Sequence, residues 1–334
     1  MAVRFPAEWE AHQATWLAWP HDVLTFPDLE AVEKIWTQLV FDVARGETVN
    51  LLAPERLFPH IPLEVRNHRH VVIHPVPTAD VWLRDTGPLF VKESFLSVED
   101  QGTLLAACFD FNAWGSKYHG HLADRGLNQK IANLAGVPKR VISMVLEGGS
   151  IDSNGSGLCL TTEQCLLHRN RNPSFSKKQI EDKLKTHLGF THVLWLGSGI
   201  QGDDTDGHVD DVARFVNPNT ILYAVAEKGD ANYKALNENK RRLERYATTF
   251  KLNLAELPMP DPIQVDGHVL PASYLNFYIA NGTIIMPSFD QPKDQEARSI
   301  LKEWFPESDV VGLDGRSVVQ GLGTFHCATQ QQPA

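Results

Sequence analysis

SKKQIEDKLKTHLGFTHVLWL, residues 176–196, holds both kinds of element from which the fold is built. Ser176 and Gln179 have capping-box spacing, Ile180, Leu184 and Leu188 fall on one helical face, and Gly189 stands where a helix stops. Thr191–Leu196 then reads as a short apolar strand. The same helical signal recurs over Leu29–Glu47, where Val32, Ile35, Trp36, Leu39, Val40 and Val43 form a stripe. Asp28 is its expected cap and Gly46 its expected stop. Weaker helices are expected over Leu127–Leu134, Tyr233–Tyr246 and Gln295–Trp304, and strands over Val71–His74, Thr220–Val225 and Thr283–Met286. The fold class is mixed α/β.

Unusual polar motifs punctuate these elements: ATWLAWP around Trp16, VWLRDTGP around Asp85, LEGGS around Glu147, DGHVDD around His208 and SYLNFYIANG around Asn276. They recur at intervals of 61 to 69 residues, which suggests a repeated supersecondary unit filling the chain. Five sheet-and-helix units packed around an axis would make a five-bladed, pseudo-symmetric α/β propeller, with one polar strand end per unit at the centre. Without a low-complexity linker, residues 1–334 are expected to form a single domain.

The chain has ordinary globular composition, 43% hydrophobic and 22% charged, and a formal net charge of −10. A negative surface repels polyanions, and no basic run could track a phosphate backbone, so nucleic acid is not an expected partner. No apolar run reaches membrane-spanning length and the first twenty residues do not read as an export signal. A cytoplasmic protein without membrane contact is expected, and self-association is compatible with the sequence. The four cysteines, Cys108, Cys159, Cys165 and Cys327, form no C-x-x-C pair and are expected to be free thiols.

GLGTFHCATQQQP places Cys327 after Gly321 and Gly323, whose freedom permits close approach of a ligand. A cytosolic cysteine is most often a buried structural residue, which is the reading for Cys108, Cys159 and Cys165. The Gly-rich turn marks Cys327 as a candidate nucleophile. In DGHVDD, His208 and Asp210 would share one face of a strand and form an acid–base pair, a solvated acidic turn being the bland alternative. A calcium loop fails in detail, because its twelfth position from Asp203 would be Arg214 instead of glutamate. VWLRDTGP reads as a strand ending with Asp85 at its tip, and LEGGS repeats that device with Glu147. Asp85, Glu147 and Asp210 together suit a planar guanidinium, whose N–H fork pairs with carboxylates. Trp114 could wall a cation or simply fill core. The pairs His68/His70 and His119/His121 lack the further ligands of a tetrahedral metal site, so neither metal nor organic cofactor is expected.

FPAEWEAHQATWLAWP, VWLRDTGP, FNAWG, LEGGSID, NRNP, DTDGHVDD, SYLNFYIANG and HCATQQQP, in this order, resemble the agmatine deiminase family across essentially the whole chain. The wider group includes bacterial-type peptidylarginine deiminases and, more distantly, amidinotransferases, and its fold is a five-bladed α/β propeller. The resemblance implies that Cys327 attacks the guanidinium carbon and His208 exchanges protons. Asp85 and Asp210 would clamp the nitrogens, Glu147 would complete the acidic cage, and Trp82 and Trp114 would line the pocket beside Gly323. The implied product is N-carbamoylputrescine, on a route to putrescine and other polyamines. Leu322 and Thr324-Phe325 stand where the family usually has glycine and Asn-Ile. Three rivals stay open at this point: a peptidylarginine deiminase, a silent guanidinium-binding protein, and a metal-dependent hydrolase.

Overall fold

The computed structural model describes residues 2–94 and 102–334. Two compact units make up the chain, Met1–Glu10 with Asp85–Glu256, and Ala11–Arg84 with Leu257–Ala334. Both are mixed α/β. Among the described residues no helix is long and apolar enough to cross a membrane.

The first unit holds three sheets, ordered Ala2–Arg4, Leu89–Ser94, Thr103–Asp110, Lys139–Val145; His192–Leu196, Leu158–Thr162, Ile151–Ser153; and Ala213–Asn217, Thr220–Val225, Asn253–Pro258. The second holds Tyr278–Ala280, Thr283–Ser288, Asp309–Asp314, then Gln330–Pro333, His12–Ala18, Thr48–Leu52, Val71–His74, and a small hairpin at 264–269. One local plan recurs. An antiparallel pair is followed by a helix, and the chain returns to the same sheet, in parallel for Thr103–Asp110/Lys139–Val145, Leu158–Thr162/His192–Leu196, Thr283–Ser288/Asp309–Asp314 and His12–Ala18/Thr48–Leu52. Parallel strands need such a crossover, which accounts for the long repeat interval.

Local chemistry explains the helix ends. Ser176 and Gln179 form the expected reciprocal box over Lys177–Leu188, and Gly189 closes it in the left-handed conformation at φ 77°. Asp28 caps Leu29–Val43 by accepting from the Ala31 amide. That helix stops short of the expected Glu47, and Gly46 does other work: its backbone abuts Asn281, leaving no room for a Cβ. The expected Tyr233–Tyr246 helix runs on to Phe250, since nothing in Ala247–Phe250 interrupts it. The helix expected from Gln295 begins at Pro292, because proline loses nothing in the first turn.

Asp294 anchors that last helix. Its carboxylate accepts from the Tyr274 and Ser288 hydroxyls at 2.6 and 2.7 Å and from the Phe289 and Gln291 amides at 3.0 and 3.1 Å. Burial would raise its pKa, but these donors outweigh burial and hold it below the usual carboxylate value. Asp294→Ala is expected to cost about 2–4 kcal/mol in urea unfolding at neutral pH. A carboxyl depressed on folding contributes stability above its unfolded pKa, lost as pH falls through the folded value, so the difference from wild type should shrink in acid. An equal difference at both pH values would contradict this account.

The polar landmarks occupy equivalent places. Asp85, Glu147, Asp210 and Asn276 each lie in a short turn or loop just before a strand, at Leu89–Ser94, Ile151–Ser153, Ala213–Asn217 and Tyr278–Ala280, as Cys327 does before Gln330–Pro333. Two expectations are corrected here. Trp16 is a buried mid-strand residue, its indole N–H bonded to Gln332 at 3.0 Å, and not a loop residue like the other four landmarks. The motifs introduce strands instead of ending them: Leu83–Thr86 is a single helical turn and Val209–Asp211 a 3₁₀ turn, both too tightly curled for an extended reading.

Candidate active site

In the first unit, Asp85, Glu147, His208, Asp210 and Trp114 are all buried. His208 Nδ1 lies 3.8 Å from Asp85 Oδ2 and 4.0 Å from Asp210 Oδ1. His208 and Asp210 meet through a turn and not through strand periodicity. Asp203 shapes that turn by accepting from the Gly207 and His208 amides at 2.8 and 3.0 Å, with Asp206 left-handed at φ 67°. Asp85 accepts from the Trp114 indole at 2.8 Å and from the Gly149 amide at 3.0 Å. These donors fix both carboxylate oxygens in place.

Trp114 gets there by unusual backbone. Ala113, Trp114, Gly115 and Ser116 all have positive φ, at 55°, 52°, 86° and 64°, so this turn has the opposite hand to an α-helix. The three non-glycine members cost roughly 1–2 kcal/mol each. Asn112 accepts from the Gly115 amide at 2.8 Å, Lys117 pairs with Asp206 at 2.8 Å, and Tyr118 bonds Asp204. Gly115 packs so closely on Asn170 that a side chain there is excluded.

Glu147 is held by Arg171, whose Nε donates to Oε1 at 2.6 Å and whose Nη1 pairs with Asp206 at 2.8 Å. Glu147 Oε2 and both His208 ring nitrogens are buried and make no hydrogen bond within the described protein. Burial is the largest influence on His208 and opposes its charge, but Asp85, Cys165 and Asp210 outweigh it and raise its pKa well above the usual value. Asp85 is pushed upward, chiefly by burial, with Glu147 and Asp210 adding and His208 opposing. His208 thus sits among acidic side chains in a desolvated group suited to a planar cation and to proton transfer.

The second unit holds Cys327, Trp82 and Gly323, all with little or no exposure for the two side chains that matter. Asn276 Nδ2 donates to Cys327 Sγ at 3.1 Å, while Asn276 Oδ1 accepts from Thr324 Oγ1 at 2.7 Å and from the Cys327 amide at 3.3 Å. The amide orientation is thereby fixed, so sulfur is treated as an acceptor, as a nucleophile requires. A Cβ on Gly323 would lie 2.9 Å from the Trp82 ring and 3.3 Å from Sγ, so glycine there serves close packing at the thiol. Trp82 is steadied by its indole bond to Asp80 at 3.1 Å. Leu322 is left-handed at φ 69°, the position where the sequence departs from an expected glycine. Leu322→Gly is expected to stabilise the protein by about 0.5–1 kcal/mol in thermal unfolding, relief of strain exceeding the added unfolded-state entropy. A lower melting temperature would refute it.

Several contributors escape the motif reading. Gly149 supplies both an amide to Asp85 and the space in which the group assembles; Arg171 is the partner of Glu147; Asn276 contacts the nucleophile instead of merely marking a repeat. The paired glycines of LEGGS and the arginine of NRNP were the available signals. All four cysteines are free, as expected, and all four are buried, Cys327 included; Cys165 Sγ, a Glu147 oxygen and a His208 nitrogen lie within 4.8 Å of one another. Among the described residues, neither H-x-H pair belongs to such a donor group.

Comparison with known proteins places this architecture. A family model described as Porphyromonas-type peptidyl-arginine deiminase matches residues 4–333. Agmatine deiminase of Medicago truncatula is 38% identical over 360 residues, covering 98% of this chain and 96% of that protein. Agmatine deiminase of Pseudomonas aeruginosa (strain LESB58) is 37% identical over 363 residues, covering 99% and 95%. A serine-substituted agmatine deiminase of C. jejuni, solved with substrate bound, superposes with a TM-score of 0.90 at 32% identity, covering 99% of this chain and 96% of that one.

Proposed function

We propose, from the premise that this chain belongs to the Porphyromonas-type peptidyl-arginine deiminase family, that it is an agmatine deiminase working through a covalent amidino-cysteine. The observation that carries the reading is the buried Asp85–Glu147–His208–Asp210 group in a chain that is 38% identical, end to end, to an agmatine deiminase. In this reading the carboxylates bind the guanidinium nitrogens bidentately and Trp82 and Trp114 line the pocket. Cys327 loses its thiol proton to solvent and the thiolate Sγ forms a bond to the guanidinium carbon, giving a tetrahedral adduct. His208 passes its proton to one nitrogen, the C–N bond breaks and ammonia leaves. Neutral His208 then takes a proton from water as the oxygen bonds to carbon. The C–S bond breaks as the new hydroxyl gives its proton to sulfur, releasing N-carbamoylputrescine and the thiol.

The same reading takes both compact units as one catalytic domain and their five larger sheets as the five blades of an α/β propeller, with Asp85, Glu147, Asp210, Asn276 and Cys327 in the equivalent loop of each. What supports it is the shared strand–helix–strand plan. Four free thiols suit a cytoplasmic setting. Ammonia release from agmatine, free arginine and an arginyl peptide tests the substrate. Agmatine should be preferred and a chelator should cost no activity; preference for the peptide would replace this assignment with a peptidylarginine deiminase.

A further inference from the structure

The proposed catalytic chemistry makes no use of the Cys165 thiol, although its sulfur lies beside Glu147 and His208. We propose that Glu147, Cys165 and His208 form a binding site for a thiophilic divalent cation, zinc foremost, and that its occupation shuts the enzyme off. The three side chains are buried and each offers one donor atom, all within 4.8 Å of one another. Each is held in place from outside the group. Cys165 belongs to the short turn Glu163–Leu166, where Thr162 Oγ1 accepts from the Cys165 amide at 3.2 Å. Glu147 is steered through Oε1 by Arg171 at 2.6 Å, which leaves Oε2 for a ligand. His208 is fixed by the bonds from its backbone amide and that of Gly207 to Asp203.

Two independent observations point to a ligand. Glu147 Oε2 and the two ring nitrogens of His208 are buried polar atoms without a hydrogen bond inside the described protein, and such atoms are rare in folded chains. Beside them stands a sulfur that the guanidinium reaction does not need. One imidazole nitrogen, one thiolate and one carboxylate oxygen make a borderline-soft set that zinc takes tetrahedrally, with the fourth position left for water or chloride. Zinc bond lengths of about 2.0–2.3 Å put tetrahedral donors roughly 3.5 Å apart, so side-chain adjustments of about an ångström close the site. Arg171 behind Glu147 supplies the outer-shell support that tight sites show. Asp85 and Asp210 add negative charge nearby. The cation displaces the thiol proton and any imidazolium proton to solvent on binding. Magnesium and calcium, which prefer oxygen cages, are poor occupants.

Occupation ties up His208 and Glu147, so zinc and agmatine exclude each other; this regulatory half rests on the deiminase reading, whereas metal binding does not. The host for the binding test is the full chain carrying Cys327→Ser, which removes the proposed nucleophile as a competing ligand. Titration with cobalt(II) should give one equivalent bound with a thiolate-to-cobalt charge-transfer band, and calorimetry should show zinc binding at the same stoichiometry. Adding Cys165→Ser should abolish the band and weaken zinc by more than the roughly 10–100-fold that loss of an outer-shell partner costs. Glu147→Gln should keep the band and weaken zinc, so the proposal remains testable if the Cys165 variant misfolds. Absence of a band, or a band that survives Cys165→Ser, overturns the site. Zinc should inhibit wild-type agmatine hydrolysis competitively, with recovery on chelation. A bound, banded cobalt in a protein inert toward agmatine would keep the metal site and sink the deiminase reading; turnover indifferent to zinc would sink the regulatory half.

Discussion

Cys327→Ser is expected to lower agmatine turnover by at least about 10³-fold while leaving agmatine binding measurable. The hydroxyl is far less ionised than a thiol at neutral pH, so the bond to the guanidinium carbon does not form. Asn276, which donates to sulfur at 3.1 Å, would still bond the serine oxygen, and nothing in the Thr324–Ala328 turn need shift. The acidic group that carries the binding lies in other loops and is untouched. Calorimetry should therefore report agmatine affinity within a few-fold of wild type. Mass spectrometry of wild type quenched during turnover should show an amidino mass increment on the peptide containing Cys327, absent in the variant. Full activity in the serine variant would remove the covalent mechanism.

Gly149→Ala should be the most damaging single methyl group in the first unit. Its Cβ would lie 2.6 Å from His208 Nδ1, 2.9 Å from Asp210 Oδ2 and 3.1 Å from Asp85 Oδ1. Real Cβ atoms do not approach that closely, so either the imidazole and both carboxylates move or the loop does, and with it the 3.0 Å amide bond to Asp85. Displacements of this size at reacting groups are expected to cost roughly 10²-fold or more in kcat/KM. Stability should fall by only about 1–3 kcal/mol, the usual cost of overpacking. Unchanged kinetics in a folded variant would mean that this cluster is not where chemistry happens.

Much of the scaffold was legible because its signals are local. Ser176, Gln179 and Gly189 announce their helix through hydrogen bonds made within a few residues, and Asp28 does so for the first helix. Pro292 was passed over because a strict apolar stripe starts later than the first turn that proline tolerates. VWLRDTGP misled because Val81, Trp82 and Leu83 have strand-forming side chains, whereas their burial is satisfied by a tight turn. The carboxylates, His208 and Cys327 were recognisable as residue types. Gly149, Arg171 and Asn276 were not, since their roles consist of where long-range folding puts an amide, a guanidinium and a carboxamide. Cys165 was hidden because its neighbours in sequence, Gln164 and Leu166 among them, say nothing of its neighbours in space.

The reversed turn at residues 113–116 bears on how the pocket behaves in time. A segment held against its conformational preference at three non-glycine positions relaxes the moment its surroundings slacken, so it persists only where they over-determine it. Asn112, Asn170, Lys117 and Tyr118 do that from several sides. The indole of Trp114 is thus an anvil and not a door. Whatever must swing aside for substrate to come and product to go belongs to some other stretch of chain, and changes that loosen this turn should blunt the enzyme without making it faster.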